Sequence, residues 1–288
     1  MPTTASDLAA GQIAFVAAAR FTYEHQAVCT NLFTKKVLSK GNKSQYIPKF
    51  GSAVAADLVD GLDMTNEQSL TITGTTHTTD EAGLKVIITK KLRNQLDADA
   101  YAAAGKVVGN AMGKKIDQDG LSLFSGLDSG FTAAATVLVL GYLAAGNAQL
   151  QGQSEPVPPP YVGVFHPYQL NGIVDQLTVP SSTLTFPDSL SLPLLRNYWK
   201  GQDKLYGTQI FADGNIQNNT SGTTTGANGA MFSPMAFIYL VGWEPENWVV
   251  EDNSLRGWEI GIVADYGMVE EDGSYGRFLN MDNTAPTA

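Results

Sequence analysis

Cysteine is almost missing from this chain: Cys29 is the only one in 288 residues. A single cysteine cannot close an intramolecular disulfide, and it excludes a cysteine-rich metal site, so the fold must stand on packing. Long apolar runs are missing too. A membrane-spanning helix needs about 20 consecutive apolar residues, and the nearest approach, 131–145, is shorter, rich in alanine and better suited to a buried helix. The N-terminus has neither the basic start nor the apolar core of a signal peptide. The chain therefore reads as a soluble protein made in a cytoplasm. Charge is also scarce, with 16% of residues charged against 43% hydrophobic, where an average domain carries about 25% charged residues. Such a surface fits one partly covered by partner subunits, although a surface rich in Thr, Asn and Gln would give the same count.

What charge there is lies unevenly along the chain. Up to residue 50, Arg20, Lys35, Lys36, Lys40, Lys43 and Lys49 face only Asp7 and Glu24. From residue 243 onward the balance reverses, with ten acids, among them Glu244, Glu246, Glu251, Glu270, Glu271 and Asp272, against Arg256 and Arg277. Two such regions attract each other within a subunit or between subunits, or else stand as separately solvated faces. Lys35, Lys36 and Lys49 on one side and Glu270 and Glu271 on the other are the candidate interaction residues.

The search for chemistry yields mostly exclusions. His25 and Cys29 are four apart on a predicted helix, a spacing that can pair a thiolate with an imidazole or hold a metal, but they lack a third partner nearby and read as packing. The Gly109 to Lys114 stretch has the wrong spacing for a phosphate loop. Asp117-Gln118-Asp119-Gly120 resembles the start of a calcium loop, yet Asp128 stands at its twelfth position where a glutamate is required. Gly120 more simply ends a helix. Pro158, Pro159, Pro160 and Tyr161 match a proline-rich ligand motif, but Tyr161 reads as the start of a buried strand. Glu270, Glu271 and Asp272, side by side at a turn, read as solvated. No catalytic residue, cofactor or metal is expected, and an acidic chain without a basic recognition module is not expected to bind nucleic acid sequence-specifically.

Three glycines dominate the middle of the chain. Gly105, Gly109 and Gly113 stand four apart within a predicted helix from Asp97, its cap, to Asp119, which at about 1.5 Å per residue spans roughly 34 Å. Each interior glycine costs about 1 kcal/mol relative to alanine, so the stripe predicts a face that something approaches closely. It lies near the apolar stripe of Tyr101, Ala104, Val108, Met112 and Ile116 and is expected to face inward. Before it, 6–38 is predicted helical with breaks, and 46–91 alternates as strands with a turn at 74–83. After it come a helix to about Ala148, a strand at 161–165, helices near Pro167 and at 192–199, and a strand at 208–212. An exposed Gly/Thr/Asn loop is predicted at 215–229 and a strand at 230–241 broken by Pro234. Long strands from 248 to 279 follow, with a hairpin turn at Asp272-Gly273.

Ile47-Pro48-Lys49-Phe50-Gly51 leading into the Thr-rich ribbon, then the helix ending in Asp117-Gln118-Asp119, resemble the major capsid proteins of tailed bacteriophages. So do Val164-Phe165-His166-Pro167, the Phe211-Ala212-Asp213-Gly214 turn, and Gly257-Trp258-Glu259-Ile260 running into Ala264-Asp265-Tyr266-Gly267. The resemblance covers nearly the whole chain by texture and order. It implies an α+β, Hong Kong 97-like capsid fold: an N-terminal arm (1–45), an extended β-hairpin loop (46–95), a peripheral domain with a long spine helix (96–129), an axial α/β domain (130–242), and closing peripheral strands (243–288). It further implies hexamers and pentamers of one chain in an icosahedral shell around double-stranded DNA, with a portal and possible decoration protein as partners, in a virion assembled in the host cytoplasm. Met1 directly precedes the arm, so a separate scaffolding protein is expected. No lysine lies between Lys49 and Lys85, so a cross-link from the loop tip, known in some members, is not expected. An encapsulin-like nanocompartment shell around a cargo enzyme shares the fold and is the alternative; a stand-alone enzyme is the third reading.

Overall fold

The computed structural model describes residues 27–61, 63, 67–95, 100–132, 134–178, 204–221 and 224–286. Most of the predicted arm helix, Asp97, and the predicted helix at 192–199 lie outside the described residues, as does His25.

Two sheets organise the molecule. The smaller has strand order β1-β11-β12-β4, built from β1 (Thr34–Val37), β4 (Asp80–Thr89), β11 (Phe237–Asp252) and β12 (Gly257–Glu270). The larger runs β5-β13-β10-β6-β8-β7, with β9 beside β10. Its strands are β5 (Ser129–Thr132), β6 (Tyr161–Phe165), β7 (Lys204–Leu205), β8 (Thr208–Ala212), β9 (Asn218–Ser221), β10 (Thr224–Phe232) and β13 (Gly276–Asp282). A separate two-stranded ribbon pairs β2 (Ser44–Phe50) with β3 (Ile72–Thr78). Helix α1 (Cys29–Leu32) opens the described chain, α2 (Lys90–Gln95) follows β4, and the long α3 (Ala100–Ser122) crosses the small sheet. Helices α4 (Leu140–Gln151) and α5 (Pro167–Thr178) belong to the large sheet.

Two cores follow from this layout. Val108, Met112 and Ile116, one helical turn apart along α3, are all buried as the apolar spacing predicts. Phe33, Phe124, Phe232 and Phe237 join α1, the turn after α3 and both sheets, with Phe33 stacked on Phe237 at 4.7 Å between ring centroids. The second core packs Leu140, Leu143 and Leu150 of α4 and Ile173 of α5 against Ile210, Met231, Leu279 and Met281 of the large sheet.

Several expectations are corrected. The segment 33–38, predicted helical, leaves the helix at Phe33 and enters β1, because Thr34–Val37 pairs parallel with Ile238–Val241. The stretch 74–83 is not a turn: Gly74 lies within β3 opposite Pro48, and Gly83 within β4 opposite Val263. Gly74 is needed there because a Cβ would fall 2.5 Å from the Tyr46 ring. The ribbon is therefore 44–50 paired with 72–78, while β4 crosses to the small sheet. The 215–229 segment is not an exposed loop, since β9 and β10 form a hairpin in which Gly226 and Ala227 are buried. Asp272-Gly273 turns a corner and not a hairpin: β12 before it stays in the small sheet and β13 after it joins the large one. The closing strands thus divide between the sheets. The true hairpin turn is 253–256, where Arg256 takes φ 48°.

Candidate functional site

The ribbon leaves the body with its apolar side chains bare. Val54, Leu58 and Val59 in the ribbon's connecting segment are 73%, 64% and 66% exposed, and Phe50, Leu70 and Ile72 are exposed as well. A two-stranded ribbon has no second layer in which to bury these groups, so on its own it is marginal. Contiguous bare apolar surface of this kind marks a face that another surface covers.

At its base the ribbon is fastened by charge. Lys49 pairs with Asp272, and its ammonium lies 5.4 Å from the centroid of the Tyr275 ring. The His77 Nε2 is 3.1 Å from Glu271 Oε2, and the imidazole is buried. Thr79 donates a 3.0 Å bond to Asp265. Burial alone would raise the Asp272 carboxyl, but bonds from Lys49 and Ser274 outweigh it and hold the group below the usual carboxylate range. Glu270 is raised by burial and then by the negative Asp128 and Asp272. The acidic run is therefore the clamp on the ribbon's base and not a solvated turn. Lys36, Lys49 and Glu271 come together in one groove there, with Thr34, Pro48 and Met235. Lys35 pairs with Glu244, so basic arm and acidic end do meet, and they meet within one chain.

The glycine stripe does not face inward. Gly105 and Gly109 are exposed, Gly113 is half-buried, and a Cβ added at any of the three meets nothing within 4 Å. Gly105, Val108 and Gly109 instead form one wall of an open groove of about 500 Å³, whose other wall is Pro245, Asn247, Trp248, Val249 and Ile260–Ile262 of the β11–β12 hairpin. The reason lies in that hairpin. Register shifts between Val241, Trp243 and Glu246, around Pro245, divide β11 into a buried first half and a largely exposed second half, and the second half lines this groove. Within α3 the glycine under close contact is Gly120, whose Cβ would fall 2.9 Å from Cys29 Cβ and 3.1 Å from Phe33.

Beneath the surface lies a polar cluster that sequence reasoning did not find. Asp117 and Asp213 are 0% and 1% exposed. Asp117 Oδ1 accepts from the Val28 and Cys29 amides at 2.9 and 3.0 Å, and its Oδ2 accepts from Asn215 Nδ2 at 2.9 Å. Burial, then the two carboxyls, pushes the Cys29 thiol up, away from the reactive thiolate. Two carboxyls in contact have acid–base potential, but sealed from solvent they meet no substrate. Asp117 sits in a motif that suggests calcium, and Asp213 in an ordinary turn; only the fold brings them together. Tyr266 on β12 donates to Asp119 at 2.7 Å, tying the small sheet to α3, and burial followed by that bond raises its phenol.

No protein-family profile and no curated protein matches the sequence. Solved structures do match. One of Mycobacterium phage Che8 superposes with a TM-score of 0.70 at 16% identity, over 92% of this chain and 94% of that one. The cyanophage Pam1 capsid asymmetric unit gives 0.69 at 12% identity, over 93% and 95%. The chain has the phage capsid fold. The capsid of cyanophage P-SCSP1u agrees, at 0.68 and 14% identity over 94% and 92%. At such identities the agreement lies in the path of the backbone, and the expected mixed α+β architecture is part of it.

Proposed function

We infer that this chain is the major capsid protein of a tailed phage, a structural and non-enzymatic subunit that assembles into the icosahedral shell around double-stranded DNA. The observation that carries the reading is the end-to-end match to phage capsid structures, which leaves almost none of this chain or of theirs unaccounted for. The bare apolar ribbon supports it, because Leu58 and Val59 stand exposed with no cover among the described residues. In this reading the arrangement is Hong Kong 97-like: the ribbon is the extended loop, α3 the spine helix, the small sheet the peripheral domain and the large sheet the axial domain. Copies form hexamers and pentamers, a separate scaffolding protein guides closure, and a portal and any decoration protein complete a virion assembled in the host cytoplasm.

Expression of the full chain, alone and with candidate scaffolds from its own genome, followed by electron microscopy, tests this. Closed shells are the expected result. A chain that stays a 30.7 kDa monomer under every condition overturns it. Shells holding one discrete enzyme, with no portal and no DNA, would assign the encapsulin-like alternative instead.

A further inference from the structure

We propose that Asp117 and Asp213 form a proton-held latch that fastens the base of the arm, residues 28–33, to helix α3, and that withdrawing the proton at alkaline pH releases that segment. The argument begins with an orphaned atom. Asp213 Oδ1 accepts the Asn215 amide at 2.8 Å, but its buried Oδ2 finds no donor among the described residues. Buried polar atoms are rarely left so. Asn215 joins this carboxyl to that of Asp117, its backbone amide donating to Asp213 and its side-chain amide to Asp117 Oδ2 at 2.9 Å, and two carboxyl oxygens brought together bond only with a proton between them.

The other contacts say which acid carries it. Both oxygens of Asp117 already accept, three hydrogen bonds in all from Val28, Cys29 and Asn215, whereas Asp213 Oδ2 is the oxygen left without a partner among the described residues. Asp213 therefore holds the proton and donates it to Asp117. Burial, then the bond to Asp117, pushes the Asp213 carboxyl up to about 8.

Among the described residues, the groups around the pair shown to engage it supply no replacement for the proton. From α1 comes the Cys29 thiol, itself raised by the pair. From the turn comes the neutral Asn215 amide. On α3, Asp119 is engaged by Lys115 and Tyr266. His166, next to the Phe165 carbonyl that receives the Asp213 amide, accepts from the Tyr168 amide. Among the described residues no ion pair involves Asp117 or Asp213.

When the Asp213 proton passes to solvent, two carboxylates face each other in a site without water access, and the cheapest relief is to part. The segment most easily parted is α1, one short turn whose Val28 and Cys29 amides hang on Asp117 and whose thiol fills the notch at Gly120. The sign follows from linkage. An acid raised in the folded state stabilises it fully below the unfolded carboxyl range, near 4, and that contribution falls as pH rises and is gone above about 8. One proton changes the unfolding equilibrium by about tenfold per pH unit across that window.

Cys29 supplies the probe, since it is the only cysteine and is fully buried. The unassembled full chain is labelled with iodoacetamide from pH 6 to 9.5, and each rate is divided by that of the urea-unfolded chain at the same pH, which cancels thiolate chemistry. In the wild type this ratio should rise about tenfold between pH 7 and 9. In Asp213→Asn, whose amide can still donate to Asp117, it should change less than twofold. A flat wild-type ratio, or an equal rise in both proteins, overturns the latch. Should the variant fail to fold, infrared spectroscopy of the wild type decides: one protonated-carboxyl band must vanish as labelling rises, and its absence at pH 6 refutes the shared proton. These measurements concern the subunit in solution, so their failure leaves the shell reading untouched, and the reverse holds as well.

Discussion

Replacing Gly105, Gly109 and Gly113 with alanine separates what the helix does in the subunit from what it does in a shell. Inside one chain the added methyl groups meet no atom within 4 Å, so no steric cost opposes the gain in helix propensity. That gain is about 1 kcal/mol per interior glycine and less near a helix end, where Gly105 lies, which makes roughly 2–3 kcal/mol for the three. For a chain of this size each kcal/mol moves a thermal midpoint by roughly 2–4 °C, so the unassembled triple variant should melt about 5–10 °C higher. A folded monomer that is stabilised by losing three glycines has not kept them for its own stability. In a shell, the groove between α3 and the β11–β12 hairpin should admit the backbone of a neighbour, and the same variant should assemble poorly or only into open sheets. Differential scanning calorimetry of the monomer and electron microscopy of assembly products read the two effects on one protein. A lower melting temperature would show that the glycine face is packed within the subunit after all. A stabilised variant that also closes normal shells would refute close approach by a neighbour, and Gly109→Leu, which projects further into the groove, must then be tolerated too.

Three other outcomes are expected. Gly120→Ala should have the opposite sign from Gly109→Ala: its Cβ presses on Cys29 and Phe33, overpacking costs about 1–3 kcal/mol against about 1 kcal/mol of propensity, and urea unfolding should show net loss. His77→Ala should loosen the ribbon by about 1–3 kcal/mol because it strips a buried partner from Glu271, whereas Lys49→Ala, with a solvated ammonium, should cost about 0.5 kcal/mol; hydrogen exchange of β2 and β3 would rank the two. Leu58→Asp with Val59→Asp should leave the monomer's melting unchanged, since both side chains are exposed, yet raise the concentration needed for assembly roughly 100-fold, the equivalent of about 3 kcal/mol of buried Leu and Val surface; light scattering against concentration reads it.

The parts of the fold legible in the sequence are those in which a local pattern states its own environment. Val108, Met112 and Ile116 announce the buried face of α3, and the all-apolar Tyr161–Phe165 announces a central strand covered on both sides. The failures come where a local signal was outvoted by pairing partners far away. Thr34–Val37 looked like the end of a helix, but the open edge of β11 two hundred residues later made it a strand. Gly74 and Gly83 looked like turn residues because glycine usually punctuates, whereas here each lies where a neighbouring strand leaves no room for a side chain. Asp272-Gly273 does turn the chain, yet nothing local can say whether the next strand folds back on the last or crosses to another sheet.

The site divides along the same line, and the division says something about the glycines. The charge asymmetry predicted attraction between the two ends of the chain, and Lys35 with Glu244 and Lys49 with Asp272 realise it, since sign alone is enough for that prediction. The Asp117–Asp213 pair was invisible because one acid sits in a motif that points to calcium and the other in an ordinary turn far along the chain, and its meaning depends on exclusion of water, which no local pattern encodes. The stripe was legible as an anomaly and misread as to its object: propensity reports that a cost exists, not which surface recovers it. With the described interior of the subunit eliminated as that surface, the cost of Gly105, Gly109 and Gly113 is offset by nothing among the described residues. The bare ribbon shows the same imbalance in apolar area. Two uncompensated features of opposite kind, a recess without an occupant and a projection without a cover, are what a subunit must carry if its free-energy minimum is reached only beside other copies of itself.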